Sequence, residues 1–475
     1  MEMGEAKSSV SWLNVAIATC MIILAGAEIG IIYLDVAVFN IIAHLAFLTL
    51  VPLLMPHFSL REWALTTLAG LMVLGLLIKD GDAINIISAL NRAAFFGAFI
   101  YLVTLLKNAA QSSGSVLALG QYMTRQPSGR RYYSLAFGGH IMGVLLNFGA
   151  ISLLTPLIQR GVRASGQSVE RQAVDEQRQI SGLLRGFSWM ILWSPTALTQ
   201  AVLFTSFAGV QTGVVMLLGI SASLVMIFVG RALDLLLWRS LPAVASQSRP
   251  TFPKTSGIRF ATICGLLIAA TYLVLILADV SAAVALMLVA PIIMVAWIFE
   301  QNLKAAPSLA VTATLRRLKV IFVDETKDPA LSAFVLGAAG FIGEAGARLA
   351  PVAQVAEVLN ISQMPVWLFL VSLPVLITIC GQIALSPILV VVFLAAVINE
   401  LPMLPANPNL IVFALGAGWA LSMSASPNAS ATLLISAITN IAPTTLTWRW
   451  NGLYALVCFV LFAISFYVLS LGFAS

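Results

Sequence analysis

Charged residues are scarce in this sequence. Of its 475 residues only 9% are charged, whereas about a quarter of the residues in a soluble globular domain are charged. Hydrophobic residues make up 60% of the chain, and the mean hydropathy is +0.99. This composition excludes an ordinary soluble protein and predicts an all-α polytopic membrane protein in a lipid bilayer. The net charge of +6 need not signal nucleic acid, and no nucleic-acid partner is predicted.

Histidine and cysteine are also rare, which argues against metal and catalytic sites. The three histidines and four cysteines are dispersed and show no metal-ligand spacing: His44, His57, His140, Cys20, Cys264, Cys380 and Cys458. The apolar segments hold no paired carboxylates within helical reach, and no base accompanies their serines. We therefore predict that the protein is not an enzyme, and we expect no cofactor apart from a coupling ion.

Long apolar runs dominate what is present. A helix that crosses a bilayer needs about 20 mostly apolar residues. About eleven such runs occur, near 12–34, 37–55, 62–79, 84–107, 180–205, 209–238, 258–278, 281–299, 330–348, 409–438 and 451–473. Two more apolar regions, 132–158 and 364–400, are interrupted by glycine and polar residues in the middle. We predict that both are re-entrant hairpins, because irregular backbone inside a membrane must be satisfied by protein or by a water-filled cavity.

The basic residues fix an orientation for this topology. With both hairpins returning to their own side and the N-terminus inside, nearly all lysines and arginines fall on the cytoplasmic side. Lys79 and Arg348 are left outside. This distribution follows the positive-inside rule and would be lost if either hairpin crossed fully. We expect a multi-pass protein of the bacterial inner membrane with a cytoplasmic N-terminus.

Two halves of the chain echo each other. GGHIMGVLLNFGAISLL (138–154) corresponds to LITICGQIALSPILVVV (376–392), and WSPTA (193–197) corresponds to ASPNA (425–429). We predict an inverted-topology repeat, in which each half contains one hairpin and one broken helix. The predicted segments are a first helix (1–36), a first repeat (37–238, broken helix 180–205), a cytoplasmic linker (239–257) and a second repeat (258–475, broken helix 409–438).

Broken helices and hairpin tips near the midplane of a membrane are where secondary transporters with inverted repeats bind their solutes. A proline removes an N–H group and favours a break, and half-helix N-termini attract anions. The candidate substrate- and ion-binding residues are Asn147, Gly149, Ser152, Ser194, Thr196, Gln200, Ser386, Ser424, Ser426, Asn428 and Ser430. Within this set, the candidate sodium ligands are Asn147, Ser194, Ser386 and Asn428.

This architecture resembles the ion transporter superfamily, in which ASPNA is similar to a TPPNA-like segment of the divalent anion:sodium symporters. The large subunit of tripartite periplasmic transporters is similar in the same way. The resemblance implies an elevator-type mechanism, a homodimer and, for the second branch, a periplasmic binding protein as partner. The symporter branch carries Ser-Asn-Thr at its hairpin tips, whereas this chain has NFGAIS (147–152) and ALSPIL (384–389), so sodium and proton coupling both stay open.

We therefore predict a secondary active transporter that moves a small organic anion across the inner membrane. The alternative is a flippase or exporter of a lipid or another amphipathic solute on the same scaffold, and a channel is less favoured. The roles of Glu28 and Arg92 are left open. His140, which precedes the first hairpin tip, is a candidate proton carrier or a core histidine.

Overall fold

The computed structural model describes residues 12–80, 83–240, 250–358, 360–383 and 385–472. Within these ranges the regular structure is helical, as predicted. Much of the predicted linker (241–249), Ala384 of the second tip and the first eleven residues lie outside the described part of the chain. The α-helices in chain order are α1 Trp12–Leu34, α2 Val38–Leu54, α3 Leu60–Asp80, α4 Ile84–Gln111, α5 Gly114–Thr124, α6 Ser128–Leu146, α7 Phe148–Arg163, α8 Val169–Met190, α9 Leu198–Ser206, α10 Thr212–Leu237, α11 Lys254–Ala278, α12 Ala282–Ala305, α13 Ala310–Lys319, α14 Lys327–Leu349, α15 Val352–Val358, α16 Val366–Gln382, α17 Pro387–Asn399, α18 Pro408–Ala425, α19 Ser430–Thr439 and α20 Gly452–Gly472.

Ten helical segments among the described residues are long and apolar enough to cross a membrane. They include the broken segment Pro408–Thr439 as one unit and agree with the runs read from the sequence. The eleventh predicted span, 180–205, is not among them. Its first helix already begins at Val169, where the sequence is strongly charged, and its second helix is only nine residues long.

Both regions predicted as hairpins consist of two helices. The first is divided at Asn147, whose φ of +50° separates α6 from α7. The second is divided between Gln382 and Pro387, which separates α16 from α17. That both helices of each pair return to the same side of the membrane remains a prediction.

The chain forms two compact units, each assembled from segments distant in sequence. The first unit comprises Met1–Ala109 with Met287–Ala345. Here α1 packs along α2, and glycines of α4 and α14 allow a close approach around Phe47. Arg92 lies 3.6 Å from Glu344, which gives this arginine an acidic partner across two helices. Glu28 is buried in α1.

The second unit comprises Ala110–Leu286 with Gly346–Ser475 and contains both predicted hairpins and both broken helices. In each half the first hairpin helix packs along the broken helix, as α6 does on α8 and α16 on α18. The second hairpin helices cross over between halves, because α7 packs on α19 and α17 packs on α9. Asn399 of α17 fixes the latter contact by donating to the carbonyl of Ser206 at 2.7 Å. The polar candidate residues therefore gather in one unit.

Candidate functional site

The first helix break is a tight turn with proline at its second position. After α8 ends, the Ala197 N–H donates to the carbonyl of Ser194 at 2.9 Å, which closes the turn Ser-Pro-Thr-Ala. Pro195 suits this position because its φ is already near the value that such turns require. It also has no N–H, so the carbonyl four residues earlier, that of Ile191, loses its helical partner.

A buried glutamine supplies the missing hydrogen bond. Gln200 Nε2 lies 3.0 Å from the carbonyl oxygen of Ile191 and 2.7 Å from that of Leu192. The same amide leaves its other atom, Oε1, buried and without a hydrogen bond from any described residue. Gln200 therefore satisfies the backbone of the first break and leaves its own Oε1 as a buried acceptor.

Hydroxyl groups attach the first break to the first hairpin. Thr196 Oγ1 donates to the carbonyl of Val144, one turn before the tip residue Asn147. Because its proton is used there, Thr196 accepts from Ser194 Oγ, which lies 2.8 Å away. Both hydroxyls are inaccessible to solvent or nearly so. The predicted residues Ser194, Thr196 and Gln200 are thus brought together.

The second break has the same construction. The Ala429 N–H donates to the carbonyl of Ser426 at 3.2 Å and closes the turn Ser-Pro-Asn-Ala. Pro427 leaves the carbonyl of Met423 without its helical partner, and Thr432 Oγ1 donates to that carbonyl at 3.1 Å. The separation of nine residues between side chain and carbonyl is the same in both breaks. WSPTA and ASPNA therefore correspond in the hydrogen bonds of their turns and freed carbonyls as well as in sequence.

The second break is also hydrogen-bonded to the second predicted hairpin. Ser426 Oγ donates to the carbonyl of Gly381 at 2.6 Å, and Asn428 Nδ2 donates to the carbonyls of Gly381 and Gln382 at 3.1 and 3.2 Å. A Cβ at Gly381 would stand 3.1 Å from the Ser426 side chain, so glycine permits this close approach. The last carbonyls of α16 are satisfied by the broken helix rather than by a cap of their own.

The remaining predicted residues lie at the ends of the hairpin helices or in the backbone around the breaks. Asn147 is half-buried at the first tip, and Gly149 is buried just after it. Ser152 bonds back to the carbonyl of Phe148 within α7, at 3.3 Å. Ser386 is the half-buried N-cap residue of α17. Two further candidates flank the second break: Ser424 is buried and bonds to the carbonyl of Leu421, and Ser430 begins α19.

The helix N-termini at the breaks and tips provide donors that no side chain caps. The residues preceding α7, α9, α17 and α19 make no side-chain capping hydrogen bond. A helix N-terminus carries a partial positive charge and free N–H groups, which favour an anion. In contrast, the oxygen of Gln200 and the hydroxyl of Ser194 are the neutral oxygen ligands that a hard cation such as sodium accepts. The arrangement suits an anion together with a small cation.

Several residues of this region are not found by sequence reasoning. Thr432 repairs the second break, and the signal for it is its position five residues after Pro427, which matches Gln200 after Pro195. Gln382 also contributes, because it accepts from Trp448 Nε1 at 3.0 Å and donates to the carbonyl of Ala425 at 3.3 Å.

A buried charge network lies at the charged end of α8. Arg178 makes two hydrogen bonds to Asp234, at 2.8 and 2.9 Å, and Arg231 binds the same carboxylate at 2.7 Å. Farther along α8, Arg185 is buried and donates to Asn451 Oδ1 at 2.8 Å. These contacts join α8, α10 and the start of α20, and they support the broken helix from outside the site.

No family model and no curated protein sequence matches the chain. Solved structures do share its fold. The YdaH transporter of Alcanivorax borkumensis, described as having an unusual topology, superposes with a TM-score of 0.56 at 16% identity, covering 86% of this chain and 97% of that one. MtrF of Neisseria gonorrhoeae, described within a class of antimetabolite efflux pumps, superposes with a TM-score of 0.51 at 15% identity, covering 82% of this chain and 85% of that one. At these identities the likeness is one of fold.

Proposed function

We propose that the chain is a secondary active transporter that moves an organic anion across the bacterial inner membrane, coupled to sodium or protons. One observation carries the proposal: two proline breaks with the same hydrogen-bonding pattern lie in one compact unit, each attached to the end of a helix pair. Such paired half-helices are the usual setting for solute and ion sites in secondary transporters. The fold is also similar to that of a transporter and an efflux pump.

The anion would be held by helix N-termini rather than by an ion pair. The side chains gathered at both breaks are neutral, so the charge of the solute would be met by the dipoles of α9 and α19. Sodium, if it is the coupling ion, would take the oxygens of Ser194 and Gln200 in the first break and of Asn428 in the second.

The transport cycle proposed for this arrangement is of the elevator type. Both hairpins and both broken helices, which belong to the second unit, would move together as one body. A homodimer, a cytoplasmic N-terminus and membership of the ion transporter superfamily belong to the same proposal.

Thermal unfolding of the purified protein with a panel of anions, in sodium and in potassium, tests the proposal. A ligand that binds the folded state raises the midpoint by mass action. We expect one anion class to raise the midpoint, and the shift to shrink in Asn428→Ala. A shift that grows with sodium identifies the coupling ion as sodium, and one independent of sodium favours protons. Stabilisation by a lipid-like solute and by no anion would instead support a flippase.

A further inference from the structure

His140 of α6 connects the first hairpin to the broken helix at two points. Its Nδ1 lies 2.9 Å from the carbonyl oxygen of Gly186, and its Nε2 lies 2.8 Å from the indole Nε1 of Trp193. The indole N–H can only donate, so Nε2 is the acceptor and carries no proton. Nδ1 then carries the proton and donates it to Gly186. In this conformation the ring is neutral, and both nitrogens are engaged.

Protonation of His140 is incompatible with this geometry. A proton on Nε2 would place two N–H donors against each other, so the bond to Trp193 must break. Trp193 directly precedes Ser194, the first residue of the turn, and the Trp193 side chain is half-buried. A proton on His140 therefore affects the first break through Trp193, the residue next to the turn.

We propose that His140 takes up the coupling proton of the transport cycle and that this proton releases Trp193 from α6. The proposal rests on the function proposed above and selects protons as the coupling ion. The proton comes from water, adds to the lone pair of Nε2, and returns to water when Trp193 rebinds. Since the described conformation requires neutral His140, protonation favours the released one.

The charged groups on the helices around α6 set the electrostatic environment that a proton on His140 would meet. The helices packed against α6 are α5, α7, α8 and α10. The charged or titratable groups that they and α6 itself carry are Tyr122, Arg130, Arg131, Tyr132, Tyr133, Arg160, Arg163, Glu170, Arg171, Asp175, Glu176, Arg178, Arg185, Arg231 and Asp234.

Of these groups, the carboxylates Asp175 and Asp234 are engaged by arginines. The guanidinium of Arg185, which precedes Gly186 in sequence, is directed to Asn451 and to backbone carbonyls. The polar contacts described for the His140 ring are both with neutral groups, so the proton introduces a new charge there.

A fluorescence titration of Trp193 tests proton uptake directly. The double variant His44→Gln/His57→Gln leaves His140 as the sole histidine of the chain. The Trp193 signal is the difference between this protein and the same protein carrying Trp193→Phe, recorded from about pH 8 to about pH 5, where histidine titrates. We expect the difference signal to change in a single-proton step, and the step to be lost on adding His140→Gln. A step that survives His140→Gln, or no step at all, overturns the proposal.

Transport in proteoliposomes tests whether the proton is coupled, with labelled succinate as the probe. We expect His140→Gln to lose accumulation driven by a pH gradient, whereas the matched variant His44→Gln keeps it. Trp193→Phe removes the donor but keeps the ring, and should shift the pH midpoint of uptake upward by about one unit, a ~tenfold gain in proton affinity. Gradient-driven accumulation by His140→Gln at the wild-type level contradicts the proposal. If the wild type neither accumulates nor exchanges any anion of the panel, the proposed function fails, while the titration still decides whether His140 binds the proton.

Discussion

The amide of Asn428 provides the sharpest test of how the second break is held. Its Nδ2 donates to two carbonyls at the end of α16, those of Gly381 and Gln382, at 3.1 and 3.2 Å. Asn428→Ala removes both donors. Asn428→Asp keeps the size and shape of the side chain but turns an oxygen toward two carbonyl oxygens.

The two substitutions differ in expected cost. A net contribution of about 1 kcal/mol per hydrogen bond gives a loss of ~2 kcal/mol for Asn428→Ala. In Asn428→Asp the same two bonds are lost, and a charge then faces two carbonyl oxygens in a half-buried position. The cost should be at least about twice that of the alanine variant, since unsatisfied charged groups cost more than neutral ones.

Thermal unfolding in detergent measures both variants on the same scale. We expect midpoints in the order wild type, Asn428→Ala, Asn428→Asp, from highest to lowest. Asn440→Asp is the matched control, because Asn440 is exposed and ends α19 with a φ of +59°, a conformation that aspartate also tolerates. An Asn428→Ala protein as stable as the wild type would show that donation by the amide does not hold the end of α16.

Four further substitutions test packing and polar contacts in the same unit by thermal unfolding. Gly186→Ala makes the new Cβ collide with the backbone carbonyl of Ala136 in α6, so we expect a loss of about 2 kcal/mol or more. The control Gly161→Ala meets nothing within 4 Å and should be neutral or slightly stabilising. Equal unfolding midpoints for the two alanine variants would contradict the close contact at Gly186. Asp234→Asn leaves two arginines without their carboxylate and should cost ~3 kcal/mol, and an unchanged midpoint would contradict a buried network. Thr196→Val removes one donor to α6 and should cost about 1 kcal/mol, and a neutral result would assign that carbonyl another donor.

The helix breaks were predictable because their cause is local. Proline removes one N–H and disfavours the helical conformation of the residue before it, so Ser-Pro in an apolar run indicates an interruption. Serine, threonine and asparagine next to such a proline can satisfy the freed backbone. The predicted second broken helix, 409–438, agrees with the range from the start of α18 to the end of α19 almost to the residue.

The start of the first broken helix was not predictable by the same reasoning. Hydropathy places it near residue 180, whereas α8 begins at Val169. The first turns of α8 are charged and resemble a solvated loop, but Asp175 and Arg178 are paired with residues of α6 and α10. Hydropathy does not distinguish charges paired with distant residues from charges in a solvated loop. The sequence alone therefore predicts too short a helix.

The attachment of each break to its hairpin was also beyond the sequence. The bonds from Thr196 to Val144 and from Asn428 to Gly381 join residues about 50 positions apart. Local patterns fix which residues share a face of one helix, but they do not fix the register between two helices. The candidate residues could therefore be named, while their partners, mostly backbone carbonyls, could not.

The two breaks share a chemical solution that explains why polar residues occur in an apolar segment. Each proline leaves one carbonyl without a helical donor, and an unsatisfied carbonyl in a water-free environment costs several kcal/mol. Gln200 and Thr432 each stand five residues after their proline and return a hydrogen bond to that carbonyl. Part of the polar content of both breaks is therefore needed by the fold itself. For the solute and ion proposed above, the atoms that remain include the oxygens of Gln200, Ser194 and Asn428 and the helix N-termini, because the repair of the two breaks does not use them.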